Sequence, residues 1–349
     1  MTRALIHAAA LGAAVLLLTG AAQAKEPSAS CTSSVKEAGT GGYFSLSVEN
    51  DVVGGTDRDY TTGTHISYLS DELDCTNFAR SLGSVLPFFD ADRELRYQVG
   101  VGQIYFTPED TLATELVRDD RPYAGWLYAS FGLVSYNDAT PTEIGQMETL
   151  NIDIGVVGPW ALAEEMQNSF HQLIGADESD GWSNQLGNEP GVAVSYSTKW
   201  RVIYEPIEDT NFGVDFMPHI GATVGNVLTD AAIGGTVRIG TGLDRDFGPP
   251  RIRPAVPGSS YFSEGGFDTY LFASIEGRAV GRDIFLDGNT FRDSHSVDKE
   301  YFVGDLQLGI AVMFDKWRVS YTHVTRSPQF QGDEWSTFGS LALSFNVGF

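Results

Sequence analysis

Basic residues and cysteines are scarce in this sequence, and no long apolar run follows the N-terminal leader. Only 22 of 349 residues are Lys or Arg, against 46 Asp or Glu, for a formal charge of −24. A chain this acidic is repelled by phosphate backbones, which excludes nucleic acid as a partner. It suits a protein that meets divalent cations or cationic surfaces. There are two cysteines, Cys31 and Cys75. Nothing around either suggests metal or nucleophilic chemistry; they stand as a periplasmic disulfide or as two free thiols. Without an apolar run after the leader there is no transmembrane helix. A soluble exported protein and a transmembrane β-barrel remain, since a barrel strand needs an apolar residue only at every second position.

The leader itself is present. Arg3, the apolar run Ala8 to Leu18 and the small residues Ala22-Gln23-Ala24 read as a secretory signal peptide cut after Ala24. Residues 25–42 are a polar periplasmic lead, and 43–349 form one domain without an internal repeat. The last stretch decides between the two architectures. From Ser336, the row Leu341, Leu343, Phe345, Val347 and Phe349 alternates with Ser340, Ala342, Ser344, Asn346 and Gly348. An amphipathic strand ending on Phe349 is how bacterial outer-membrane barrels commonly finish, which makes the barrel-assembly machinery an expected partner.

Period-two alternation predicts twelve strands, an even number that closes an antiparallel barrel with both termini on one side. They fall at about 43–51, 60–71, 93–106, 123–137, 145–157, 191–204, 212–226, 231–243, 267–282, 299–314, 317–326 and 336–349. A Pro/Gly-rich connection, Gly248 to Gly266, separates the eighth and ninth. One segment departs from this pattern. Met166, Phe170, Leu173 and Ile174 recur at helical spacing, with Gly175 as a stop, and predict a short helix over Met166–Asp177. Its apolar residues are expected to pack on the barrel wall and help shape an acyl-chain groove, and its Gln167–His171 face to meet water and calcium. His171 is one of six histidines.

With both termini in the periplasm, strand parity brings Asn50, Asp51, Thr61 and the His171 helix to one extracellular rim. Asp110, Asp119, Asp120, Arg121 and Asp177 join them. Carboxylate and amide oxygens are hard ligands suited to Ca²⁺. A neutral histidine beside them can act as general base on water. At outer-leaflet depth the substrate class is a lipid ester. The competing reading is acids that solvate loops and serve as turn residues.

Three stretches carry a resemblance: Ser47-Val48-Glu49-Asn50-Asp51, Asp59-Tyr60-Thr61-Thr62-Gly63, and Gln167-Asn168-Ser169-Phe170-His171-Gln172-Leu173-Ile174-Gly175-Ala176, with Gly158-Pro159 just before the helix. In this order they resemble the outer-membrane lipid A 3'-O-deacylase (LpxR-like) family over nearly the whole mature chain. The resemblance implies a 12-stranded antiparallel barrel, Ca²⁺ as cofactor, and removal of the 3'-linked acyloxyacyl group of lipid A in the bacterial outer membrane. It implies His171 as the catalytic histidine, Asn50 and Asp51 as the pair beside the calcium, Thr61 as the active-site threonine and Gln167 as the helix glutamine. Asp177 stands where the family has a calcium-binding glutamate. The family's loop lysine has no counterpart in Thr107 to Pro122; Arg118 or Arg121 is left to supply the charge, or Arg121 is structural. An outer-leaflet phospholipid esterase and an inactive lipopolysaccharide-binding barrel are the alternatives. No Gly-x-Ser-x-Gly elbow supports a serine nucleophile.

Overall fold

The computed structural model describes residues 41–51, 59–73, 78–83, 89–138, 144–175, 177–204, 210–252 and 261–348. The expected signal peptide, Cys31, Cys75 and Phe349 lie outside them. Twelve strands follow one another: β1 (Gly42–Asn50), β2 (Asp59–Leu69), β3 (Glu94–Thr107), β4 (Ala124–Asn137), β5 (Gly145–Val157), β6 (Glu189–Tyr204), β7 (Phe212–Gly225), β8 (Leu228–Thr241), β9 (Gly265–Asp283), β10 (Phe302–Asp315), β11 (Trp317–Arg326) and β12 (Ser336–Val347). Each pairs antiparallel with its sequence neighbour, and β1 closes onto β12. Among the described residues three short α-helices lie between strands: α1 (Phe78–Gly83), α2 (Ala163–Ile174) and α3 (Ile284–Asp287). No helix among the described residues is long and apolar enough to cross a membrane. The strands do that.

The alternation seen in the sequence becomes sidedness. Along β1, Tyr43, Ser45, Ser47 and Glu49 are buried, while Phe44 and Leu46 are exposed. Along β12, Ser340, Ser344 and Asn346 are buried and Leu341 and Leu343 exposed. The Ser45 hydroxyl donates to the Ser344 hydroxyl across the closing seam, at 2.7 Å. An apolar outside around a polar inside is the reverse of a soluble core, and it matches a lipid surround. The sequence boundaries hold within a few residues. The starts of β8 and β10 shift by about three residues, to Leu228 rather than 231 and to Phe302 rather than 299; the shift at β8 has a local cause. There the Thr229 hydroxyl bonds both the N–H and the carbonyl of Gly225, which pins a tight turn at Asn226-Val227 and lets pairing begin at once.

The connection after β8 also departs from expectation. It begins at Gly242, before the expected Gly248, and its first part turns into the lumen, where Asp246 and Phe247 are fully buried. Asp246 accepts from Arg238, from Arg318 Nη1 at 3.0 Å and from the Tyr270 hydroxyl at 2.7 Å. Arg238 also donates through Nε to Asp215 at 3.0 Å. Taking a carboxylate from water costs several kcal/mol, and good geometry to two guanidiniums offsets it. Removing one partner leaves the other charges buried without compensation. Asp246→Ala is therefore expected to destabilise the barrel by about 3–5 kcal/mol. A drop in the guanidinium unfolding midpoint of the refolded barrel checks this; an unchanged midpoint would contradict it.

Candidate active site

Strand parity decides which way the site faces. Asn50 follows Glu49 and so belongs to the outward row of β1, with Phe44, Leu46 and Val48. Its partner on β2 is Thr62, the partner of Thr62 on β3 is Tyr105, and that of Tyr105 on β4 is Gly125. A register irregularity between Asp59 and Thr62 sets this alignment. One row of side chains thus runs across four strands on the outer wall, at the end opposite the termini. Such cross-strand neighbours have Cβ atoms about 4.5–5.5 Å apart.

Helix α2 lies over this row. Gly125 makes the seat: a Cβ built there would come within 2.5 Å of the Ala163 Cβ. The Gly158 N–H donates to the Gly125 carbonyl at 3.0 Å, and Gln103 Nε2 donates to the Ala161 carbonyl at 2.6 Å. The rest of the segment is stitched to the preceding loop. Asp180 N–H bonds the Thr111 carbonyl, Asn184 Nδ2 the Thr114 carbonyl, and Leu186 N–H the Tyr123 carbonyl. The Tyr123 hydroxyl donates to Thr111. Burial, then nearby Asp110, Asp180 and Asp120, push this phenol up to about 12, so it stays a donor at neutral pH.

The helix starts at Ala163, three residues before the sequence pattern places it. Leu162 in the left-handed conformation (φ 57°) sets the start. Glu164 and Glu165 suit the positive end of the helix dipole but add nothing to an apolar stripe. Gly175, also left-handed (φ 74°), ends it as expected and returns its N–H to the His171 carbonyl. The facing of the described apolar residues differs from that expected. Ala163, Gln167 and His171, four residues apart in turn, form the buried face. Met166 and Phe170 are 52% and 38% exposed, so they do not pack on the wall. The wall beneath is a polar row, and the medium outside is lipid, so the apolar side turns away from the barrel.

A chain of contacts joins wall to helix. Asn50 Nδ2 donates to the Thr62 hydroxyl at 2.8 Å. Thr62 and Tyr105 share a side-chain hydrogen bond, and the Asp51 carboxylate acts electrostatically on the same phenol. Tyr105 meets Trp182 edge-on, with ring centroids 6.2 Å apart. Trp182 Nε1 donates to Gln167 Oε1 at 2.8 Å. His171 is buried one turn further along the same face. Its Nδ1 lies 2.5 Å from the backbone carbonyl of Asp177. A carbonyl only accepts, so Nδ1 carries the proton and Nε2 is the basic nitrogen of the neutral ring.

Asn50, Asp51 and Gln167 are therefore linked through residues that the sequence reading did not single out: Thr62, Tyr105 and Trp182. Hairpin pairing from Asn50 would have reached Thr62; nothing local marks the other two. The Asp177 side chain is exposed, and its contribution to His171 is through the backbone. The Thr61 side chain lies outside the described residues. Arg121 is structural: it is buried between the Phe106 and Phe330 rings and donates to Gln329 Oε1 at 3.0 Å, inside the barrel mouth. Arg118 is exposed. No group of three or more His, Cys, Asp or Glu side chains converges among the described residues. The oxygens of Asp51, only 1% exposed, and of Asn50 are nonetheless hard donors of the kind Ca²⁺ takes.

The Gly125 seat is directly testable. Gly125→Leu is expected to lift α2 from the wall while leaving the barrel closed. The endoprotease GluC, acting at Glu164, Glu165 and Glu178, should then cut the folded variant at least tenfold faster than the parent, with unchanged heat-modifiable mobility on a gel. Equal protection would show that the seat does not hold the helix.

Among solved structures, LpxR from Salmonella typhimurium aligns with a TM-score of 0.70 at 22% identity, covering 87% of this chain and 100% of that one. The beta domain of the Bordetella autotransporter BrkA aligns at 0.40 with 10% identity, over 90% and 100% of the two chains. The translocator domain of NalP from Neisseria meningitidis aligns at 0.40 with 9% identity, over 88% and 89%. No functionally curated protein matches the sequence. The profile of the family described as outer membrane protein LpxR matches residues 10–347, and this outer-membrane barrel belongs to that family.

Proposed function

We propose that this protein is a Ca²⁺-dependent hydrolase that removes the 3'-linked acyloxyacyl group of lipid A. The observation that carries the reading is the facing of the site. Asn50, Thr62 and Tyr105 lie in a row on the outer wall of the barrel, joined through Trp182 to Gln167 on the buried face of α2. A substrate reaches that place from within the leaflet, as a lipid does, and not through the lumen. The exposed Met166 and Phe170 on the far side of α2 keep the helix itself in the apolar layer.

The chemistry follows from the side chains. With Nδ1 held by the Asp177 carbonyl, His171 Nε2 takes a proton from a water as its oxygen attacks the ester carbonyl carbon. The tetrahedral carbon then collapses. The bond to the sugar oxygen breaks, and the proton on Nε2 passes to that oxygen, giving a free acyloxyacyl acid and the 3'-hydroxyl. A Ca²⁺ held by Asp51 and Asn50 would polarise the carbonyl as a Lewis acid. Asn50 is oriented for this by its bond to Thr62, and the exposed Asp177 carboxylate is proposed as a further oxygen ligand. Thr61, beside Thr62 on the same strand, is proposed to bind substrate.

Mass spectrometry of lipid A from expressing cells tests the reading. The expected result is loss of the 3'-linked acyl group. It should stop when a chelator removes Ca²⁺ and return when Ca²⁺ is restored. His171→Ala should slow it by about 10²–10⁴-fold, the usual contribution of a general base. Unchanged lipid A with released lysophospholipid would replace lipid A by phospholipid as the substrate. No product from a correctly inserted barrel would leave only a binding or structural role.

A further inference from the structure

Trp182 is fully buried, yet it belongs to no strand and to none of the residues with an assigned role. It sits between Tyr105 and Tyr123, with ring centroids at 6.2 and 4.9 Å. Its only polar atom, Nε1, points at Gln167 Oε1 at 2.8 Å. An indole N–H donates and cannot accept. The contact therefore fixes which end of the Gln167 amide faces it: the oxygen is held by Trp182, and the NH₂ is turned away. Gln167 is 1% exposed, and its Nε2 has no hydrogen-bond partner among the described residues. Buried polar groups are satisfied in the great majority of cases, so an orphaned donor needs an explanation. A donor aimed into a reaction site and waiting for a ligand oxygen is one.

Its surroundings say which oxygen. Gln167 stands one helical turn before His171 on the same face, where Cβ atoms are about 5–6 Å apart. A water activated at His171 Nε2 and a carbonyl oxygen held at Gln167 Nε2 can then belong to one ester. We infer that Trp182 is a positioning residue, which locks the Gln167 amide so that Nε2 donates to the ester carbonyl oxygen and to the oxyanion it becomes. This rests on the hydrolase reading above. A donor fixed before the reaction stabilises developing charge without reorganising, and losing such a donor typically costs about 10²–10³ in kcat.

A purely structural reading gives the reverse roles: Gln167 would exist to accept from the buried indole. Two substitutions separate them. Gln167→Glu keeps an acceptor for Trp182 and removes the donor. Trp182→Phe keeps the ring and removes the lock, so the amide can rotate. Purified wild type, Gln167→Glu, Gln167→Ala, Trp182→Phe and the Trp182→Phe/Gln167→Ala double variant are compared on lipid A and on phospholipid micelles, with thermal unfolding measured for each. His171→Ala defines the background. Gln167→Glu is expected to lose about 100-fold or more in kcat, as Gln167→Ala does, while unfolding near the wild-type temperature. Trp182→Phe should lose about tenfold in kcat with KM within twofold, because an amide free to turn still donates part of the time. The double variant should be no slower than Gln167→Ala. Near-wild-type kcat in Gln167→Glu, independent and multiplying losses in the double variant, or a Trp182→Phe effect confined to KM or to stability would each overturn the inference. A wild type that hydrolyses neither lipid would instead overturn the hydrolase reading and the inference with it. A wild type active on phospholipid alone would change the substrate and leave Trp182 to be judged by the same comparisons.

Discussion

The candidate site depends on one close approach, that of Ala163 to Gly125 on the outer wall. Any larger residue on either side holds the helix and the strand apart. Because they touch, the first turn of α2 is held against the wall, and Trp182 then ties Gln167 to Tyr105, the end of the row that begins with Asn50 and Thr62. The hydrogen bonds from Gly158 and Gln103 reinforce this seat but do not create it. Catalysis by a general base tolerates little displacement, since about 1 Å of misplacement can cost 10²-fold in rate. A seat made by a glycine is a way to set that distance with backbone rather than with flexible side chains.

The rest of the barrel supplies a rigid base for that seat. A polar lumen costs desolvation at every buried charge, and here the charges answer one another. Asp246 joins Arg238, Arg318 and Tyr270, and Arg326 clasps Asp305 through Nε and Nη2 at 3.0 and 3.2 Å. Arg121, between β3 and β4, draws its loop against Gln329, between β11 and β12, at the barrel mouth. The charge that the family pattern places near the substrate is thus not provided by Arg121, which faces the lumen while the site faces the leaflet.

Much of the architecture was legible because period two is a strong signal when the two faces meet different media. β5 and β11 were located to the residue, since alternation stops there at turn residues. The helix was legible as an element but misread as a surface. An apolar stripe on a helix over a soluble core points inward; over a barrel in lipid it points outward, as Met166 and Phe170 do. Asn50, Asp51, Gln167 and His171 were singled out by parity and by motif. Thr62, Tyr105 and Trp182 were not. Their roles come from register and from a ring contact between loops, and no local pattern in the chain encodes either.

The central claim is that the reaction takes place on the outside of the barrel, between α2 and the wall. A structure of the His171→Gln variant with lipid A and Ca²⁺ tests it most directly. The account predicts the 3'-ester carbonyl between Gln167 and the Asn50–Thr62–Tyr105 row, its oxygen within hydrogen-bond distance of Gln167 Nε2, and acyl chains running down the outer wall. Lipid bound in the lumen, or on the loops with α2 uninvolved, would contradict it.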